Sequence, residues 1–238
     1  MLSLIVKKEP KSVSAEAYRT LRTNFQFLTM GRNMKKIIIT STESGEGKTI
    51  TTGNLALSLS QAGKKVLVID CDLRKPSIHK YFELINSIGF ANMVVEKLRP
   101  EEVIHKYSDN LHIITAGKTL INPAELLNVD HISPIFKGLE EGYDNILIDT
   151  PPVVSVTDAQ LLAAVSDGVI MVLGSGDTNK KLCQKALQLL GNVNANILGV
   201  VLNKVTEASG GYYKNQYPYY GGEIDGKKKS KVKRESAR

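Results

Sequence analysis

The chain has 238 residues, 42% of them hydrophobic, and 31 Lys or Arg against 24 Asp or Glu give a formal charge of +7. That size suits one α/β domain with a full core, and no run approaches the ~18 apolar residues needed to span a bilayer. The charge is uneven: the last twelve residues, KKKSKVKRESAR, hold seven basic residues and one Glu, so the body is close to neutral. Such a run reads as a solvated tail, or as a contact for nucleic acid, an anionic membrane or an acidic partner. Cys71 and Cys183 have no metal spacing and form no disulfide framework. MLSLIVKKEPKS carries its charges after the apolar residues, unlike a signal peptide, and the chain reads as cytosolic.

In chain order, SVSAEAYRTLRTNFQF comes first, an amphipathic helix capped by Ser12 or Ser14, with Ala17, Leu21 and Phe25 four apart on one face. Six short strand-like runs follow: KIIIT (36–40), VLVID (66–70), LHIIT (111–115), NILID (145–149), VIMVL (169–173) and ILGVVLN (197–203). They are rich in Ile and Val and mostly continuous instead of alternating, as strands buried on both faces are. Helical segments between them imply right-handed crossovers and a mostly parallel sheet flanked by helices. Leu55, Leu59 and Ala62 recur at helical spacing after the first strand, and Gly63 is a natural stop. From Glu207 onward the Gly, Tyr and Lys bias predicts little fixed structure. Two parts result: residues 1–206 as a folded domain, and 207–238 as a tyrosine cluster with a Lys-rich tail.

The strand KIIIT runs into STESGEGKT and then a helix, the context of a phosphate-binding loop. Gly45 and Gly47 let backbone N–H groups turn towards phosphate oxygens, Lys48 reaches the β/γ-phosphates, Thr49 offers a hydroxyl to Mg²⁺, and the helix N-terminus adds its dipole. The strict pattern has Gly six residues before the Lys; Thr42 stands there, so the loop is a variant. Two further strands end in carboxylates, VLVIDCD in Asp70 and Asp72 and ILIDTPP in Asp149, at the sheet edge where ligands bind in open α/β folds. Neighbouring buried carboxylates are expensive without a cation, which argues for a metal between them; the plain alternative for Asp70 or Asp72 alone is a helix N-cap.

VLVIDCDLRKPSIHKYF resembles the deviant P-loop ATPases that include cell-division-site and plasmid-partitioning ATPases. DCDLRKP together with SGEGKT, INPAELL, ILIDTPPV and VTDAQLLA resembles, more specifically, the bacterial tyrosine kinases of capsular and exopolysaccharide biosynthesis, over nearly the whole chain from about Glu16. The resemblance implies ATP and Mg²⁺ as cofactors. The nucleotide would lie on Ser44, Gly45, Glu46, Gly47, Lys48, Thr49 and Ile50, with Asn203 near the adenine. Asp70 would accept the tyrosine hydroxyl proton, and Thr49, Asp72 and Asp149 would hold Mg²⁺. Arg74 either meets phosphate or an incoming tyrosine, or forms a surface salt bridge. Glu16, Arg19 and Arg22, on the helix 14–29, match the motif that packs such kinases into rings; without the family they are an ordinary solvated helix face.

The stretch GGYYKNQYPYYGG places five of the nine tyrosines (Tyr212, Tyr213, Tyr217, Tyr219 and Tyr220) in nine residues. The resemblance makes them the substrates of a neighbouring subunit's active site. It also implies a separate membrane adaptor that recruits and activates the kinase at the inner face of the membrane, a cognate tyrosine phosphatase, and no nucleic acid. The Lys-rich tail is a candidate for added attraction to anionic lipid. Three rival functions fit the residues less well. A positioning ATPase carries a signature Lys where this chain has Glu43, an iron–sulfur reductase needs bridging cysteines, and a non-enzymatic adaptor needs none of the phosphate-site residues.

Overall fold

A computed structural model describes residues 3–118 and 123–205; the tyrosine cluster, the Lys-rich run and the irregular segment expected from Glu207 lie outside the described residues. The strands are β1 Lys36–Ser41, β2 Val66–Asp70, β3 Ile104–Ser108, β4 Leu111–Ile114, β5 Asn145–Asp149, β6 Gly168–Gly174 and β7 Ile197–Asn203. The helices are α1 Ile5–Lys8, α2 Val13–Thr29, α3 Lys48–Gln61, α4 Ile78–Phe82, α5 Phe90–Val95, α6 Pro100–Val103, α7 Pro123–Leu126, α8 Val129–Glu140, α9 Asp158–Ala163 and α10 Lys180–Gly191. All seven strands form one sheet in the order β3-β4-β2-β5-β1-β6-β7.

Every pairing in the sheet is parallel except β3 with β4. The six runs read from sequence are all strands. β3 is an addition: its residues IHKYS are half-exposed and polar at an edge, so no apolar run announces it. It reaches β4 through a short antiparallel hairpin, needing no helical crossover.

Alternate residues of the central strands enter two cores, as the two-residue strand period demands. Ile38, Leu67, Ile69, Ile146 and Ile148 pack on one side with Phe90 of α5, Phe136 of α8 and Leu162 of α9. Ile37, Ile39, Val66, Val68 and Leu147 face the other side, against Leu55 and Leu59 of α3, Phe25 of α2 and Ile78 of α4. α3 ends as expected, with Gly63 at φ +82 and the Lys64 amide donating back to the Leu59 carbonyl.

α2 is capped by Ser12, whose hydroxyl accepts from the Ala15 amide at 3.2 Å. Its buried face includes the expected Leu21 and Phe25 but not Ala17. Ala17 is exposed, while Ala15 and Phe25 are buried and Tyr18, Leu21 and Arg22 are partly covered. The stripe runs through positions 15, 18, 22 and 25, one helical step round from 17, because α2 packs along α3 and Arg22 joins the contact by donating to the Ser58 carbonyl at 3.3 Å.

Candidate active site at the carboxyl edge of the sheet

Because β1, β2, β5, β6 and β7 all run the same way, their C-terminal ends converge on one edge. β1 leads into the loop Thr42–Gly47 and then α3. Gly45 and Gly47 have φ +87 and +98, left-handed conformations that disfavour any residue with a Cβ. Gly47 is also needed for space: a Cβ there would sit 1.9 Å from Asn203 Nδ2. α3 then begins at Lys48 with its N-terminus turned to the same edge.

Lys48 Nζ donates to Asp72 Oδ2 at 2.7 Å and lies 3.8 Å from Asp149 Oδ2. Burial works to lower the ammonium pKa, but Asp149 and Asp72 outweigh it and the net shift is upward, so Lys48 is firmly charged. Thr49 Oγ1 donates to Asp149 Oδ2 at 2.7 Å, and Thr52 Oγ1 to Asp149 Oδ1 at 3.3 Å. Asp70 and Asp149 are register partners on adjacent strands and are both fully buried. Burial, with the Asp149 charge next, pushes the Asp70 carboxyl up to about 8. Asp149 is raised too, by burial, although Lys48 and Thr49 pull the other way.

Asp70 also serves the start of α4 from a distance, although Ser77 holds the N-cap position that was the plain alternative for it. Its Oδ2 accepts from the Ser77 and Ile78 amides, both at 3.0 Å, at the start of α4, and its Oδ1 accepts one 3.2 Å bond from the Asp72 amide. Asp72 Oδ1 likewise takes the Lys75 amide at 3.0 Å, so the segment 71–77 wraps around its own carboxylates.

The oxygens of Thr49, Asp72 and Asp149 surround one cationic position, at present shared by the Lys48 ammonium. Three hard oxygen donors beside a phosphate loop fit Mg²⁺, which takes one or two carboxylates and completes its shell with water and substrate phosphate. Cys71 is buried between the aspartates, with its thiol pushed up by burial and then by the Asp70 charge, so it stays protonated and shielded, unlike a cluster ligand.

Glu46, expected among the residues that hold the nucleotide, keeps its side chain away from the mouth of the loop. Its side chain turns into the loop, buried, and accepts from the Thr42 and Glu43 amides at 2.7 and 2.9 Å, from the Thr42 hydroxyl and from the Thr178 hydroxyl after β6. Burial alone would raise its pKa; these donors reverse that and hold it below the usual carboxylate range. Asn203, at the end of β7, donates to the Glu46 carbonyl at 2.9 Å. A Glu amid glycines gives no sign in sequence that it will fold back on its own loop.

Arg74 takes the ion-pair alternative: its guanidinium grips the fully buried Asp158 of α9 through bonds of 2.9 and 3.1 Å. Asp158 lies within VTDAQLLA, where sequence alone did not single it out. Away from this edge, Glu16 and Arg19 pair with each other at 2.6 Å while Arg22 turns towards α3, so the three residues do not form a common cluster. A cavity of about 500 Å³ bordered by Phe25, Phe27, Met30 and Lys64 opens at the opposite, amino edge of the sheet and shares no residue with the phosphate site.

Residues 34–198 match the family of AAA domains. The tyrosine-protein kinase YwqD of Bacillus subtilis (strain 168) is 39% identical over 222 residues, covering 92% of this chain and 91% of that one. Among solved structures, the chimerical protein CapA2B2 superposes with a TM-score of 0.80 at 35% identity, covering 86% of this chain and 90% of the other. The kinase domain of the Escherichia coli tyrosine kinase ETK also gives 0.80, at 28% identity, with 85% and 82% covered. The variant phosphate loop, the two aspartates at and just beyond the end of β2 and the aspartate ending β5 are thus set in a chain that belongs to the bacterial tyrosine-protein kinases.

Proposed function

We propose that the chain transfers the γ-phosphoryl group of ATP to its own tyrosine cluster, Tyr212, Tyr213, Tyr217, Tyr219 and Tyr220, between subunits of a homo-oligomer, and thereby regulates synthesis and export of capsular or extracellular polysaccharide. The observation that carries this reading is the meeting of Lys48, Thr49, Asp72 and Asp149 at one cationic point beside a buried Asp70 of raised proton affinity. A positioning ATPase would account for the first four residues but not for a tyrosine cluster.

The chemistry follows from these residues. A tyrosine of reference pKa ~10 is a weak nucleophile near neutrality. As its oxygen bonds to the γ-phosphorus and the bond to the β-phosphate oxygen breaks, the phenolic proton passes to a carboxylate and ADP leaves. Asp70 suits that role in its ionised form, whose proton affinity exceeds that of a free carboxylate; with a pKa of about 8 it must first lose the proton it carries near neutrality, and Oδ1 holds a single long bond and so keeps acceptor capacity. Its full burial requires the 71–77 segment to open for the incoming tyrosine. Lys48 moves from its carboxylates onto the β/γ-phosphates, and the amides of Ser44 to Ile50 enclose them. Thr49, Asp72 and Asp149 would hold Mg²⁺, which when bound neutralises phosphate charge. Asn203 borders the adenine side.

Residues 1–206 form the kinase domain and 207–238 carry the substrate tyrosines and the Lys-rich run. The helix 14–29, with Glu16, Arg19 and Arg22, is the oligomerisation element, the assembly being a ring. A membrane adaptor recruits and activates the cytoplasmic kinase, and a tyrosine phosphatase resets it. Among the described residues no helix is long and apolar enough to cross a membrane.

The test is to incubate purified chain with Mg²⁺ and ATP, alone and with the adaptor's cytoplasmic segment, and to map phosphotyrosine. Phosphate on Tyr212 to Tyr220, abolished by Lys48→Met, is the expected result. ATP hydrolysis without phosphotyrosine under both conditions would instead favour the positioning ATPase.

A further inference from the structure

Thr42 stands where the strict phosphate-loop pattern has glycine, yet between Thr42 and Thr49 only Gly45 and Gly47 have positive φ. The loop is therefore not bent at position 42 by backbone freedom. What meets Thr42 is Glu46: its Oε2 takes the Thr42 and Glu43 amides at 2.7 and 2.9 Å, and both carboxylate oxygens take the Thr42 hydroxyl, at 2.8 and 2.9 Å. On the other side, the Thr178 hydroxyl donates to Oε1 and itself accepts the Gly174 amide at 2.9 Å. The main chain of the same residue is held by Asn203. One acidic residue thus ties the end of β1 to the ends of β6 and β7.

A carboxylate in a loop that receives phosphates is electrostatically adverse unless it is turned away and its charge is met by donors. Both conditions hold: Glu46 is 4% exposed, while Glu43, Ser44 and Gly45 at the mouth are exposed. Charge-assisted bonds to amides are also about twice as strong as neutral ones, so these bonds hold the loop more firmly than neutral ones would.

We propose that the Glu46 side chain is a positioning residue for nucleotide, fixing from within the loop the curvature that a glycine at position 42 would otherwise permit and linking it to the β6 and β7 ends through Thr178 and Asn203. The inference rests on the reading of this edge as the nucleotide site. Glu46 touches no reacting atom, so its loss acts on affinity for the phosphate chain and leaves the chemical step intact.

The experiment titrates fluorescent ATP and ADP analogues with Mg²⁺ into the full chain, as wild type, Glu46→Ala, Thr178→Val and the double variant, and measures KM and kcat for tyrosine phosphorylation. Glu46→Ala is expected to raise Kd at least about tenfold for both nucleotides, with KM for ATP rising in step and kcat at saturation within about threefold of wild type. Thr178→Val is expected to raise Kd about threefold, and the double variant to match Glu46→Ala, since Thr178 acts through Glu46. A purely structural role would lower the Tm of the nucleotide-free chain without separating KM from kcat. Kd within twofold of wild type in Glu46→Ala, or a fall in kcat with KM unchanged, overturns the proposal. If circular dichroism shows that variant unfolded, an unchanged Kd in Thr178→Val overturns it. Wild type that binds neither nucleotide refutes the nucleotide-site reading, and this inference with it.

Discussion

Replacing Asp70 by Asn should make the metal- and nucleotide-free protein more stable while removing its kinase activity. In the folded chain burial and the Asp149 charge raise the Asp70 carboxyl from 3.8 to about 8. A carboxyl raised on folding binds its proton more tightly in the native state, so stability is greatest below the unfolded value and falls as pH climbs from about 4 to about 8. At about 1.36 kcal/mol for each pH unit between the unfolded and folded values, the ceiling of this loss is on the order of 5 kcal/mol, most of it already incurred at neutral pH. Asn removes the ionisation, and with its oxygen in place of Oδ2 it still caps α4 through the Ser77 and Ile78 amides. It forfeits the single 3.2 Å bond from the Asp72 amide, worth about 1 kcal/mol. The net gain near pH 8 is then about 4 kcal/mol, a Tm rise of roughly 8–16 °C at this chain length. Urea titrations from pH 5 to 9 in EDTA, on both proteins, measure it. The gap should widen with pH through neutrality and level off beyond about 8. A gap independent of pH, or an Asn variant less stable than wild type at pH 8, would refute the reasoning. Activity should fall in the same variant, a conflict between stability and function of the kind buried catalytic groups produce.

Gly47→Ala should weaken nucleotide binding more than tenfold, because its Cβ meets Asn203 Nδ2 and its φ of +98 disfavours any side chain. Adding Asn203→Ala should recover part of the loss and not all of it, since the clash is relieved while the left-handed backbone stays disfavoured and the Asn203 bond to Glu46 is lost; a single Gly47→Ala variant that binds ATP like wild type sinks this account. Thr49→Ser keeps the hydroxyl and should stay within about threefold in Mg²⁺-dependent activity, while Thr49→Ala should raise the Mg²⁺ concentration for half-maximal rate at least about tenfold. Equal behaviour of the two would detach Thr49 from the metal. Asp158→Asn removes the charge that grips Arg74 and should lower unfolding free energy by about 1–3 kcal/mol, read from the urea midpoint at unchanged slope; an unmoved midpoint would show the pair to be idle.

The central strands were legible because each lies between two helical layers and is written as an unbroken apolar run, as in VLVID and NILID. β3 was not, since an edge strand with half-exposed His105 and Lys106 has no such pressure on its composition. The innermost site residues, Lys48, Thr49, Asp70, Asp72 and Asp149, could be read because each stands at or beside a strand end or helix start whose position the hydrophobic pattern fixes. What escaped were contacts between elements far apart in sequence: Arg74 with Asp158, Glu46 with Thr178 and Asn203, and the turn of Arg22 towards α3. Local periodicity carries no information on which distant partner a polar side chain meets. The expected face of α2 held at Leu21 and Phe25 and missed at Ala17, where contact with α3 decides which residues are covered.

The clamp of Asn203 on the Glu46 carbonyl spans 157 positions in the chain. β1, which carries the loop, lies between β5 and β6, so Ile37 finds its neighbours at Leu147 and Gly168. At typical synthesis rates the loop residues would be exposed for roughly 10–30 s before Asn203 is even added. Such high contact order makes for slow folding. It also means that a nascent or truncated chain ending before β7 contains the GEGKT sequence without the Asn203 bond to its glutamate carbonyl. The contact between Asn203 and Glu46 thus forms late in the life of each new molecule, after nearly the entire sheet is in place.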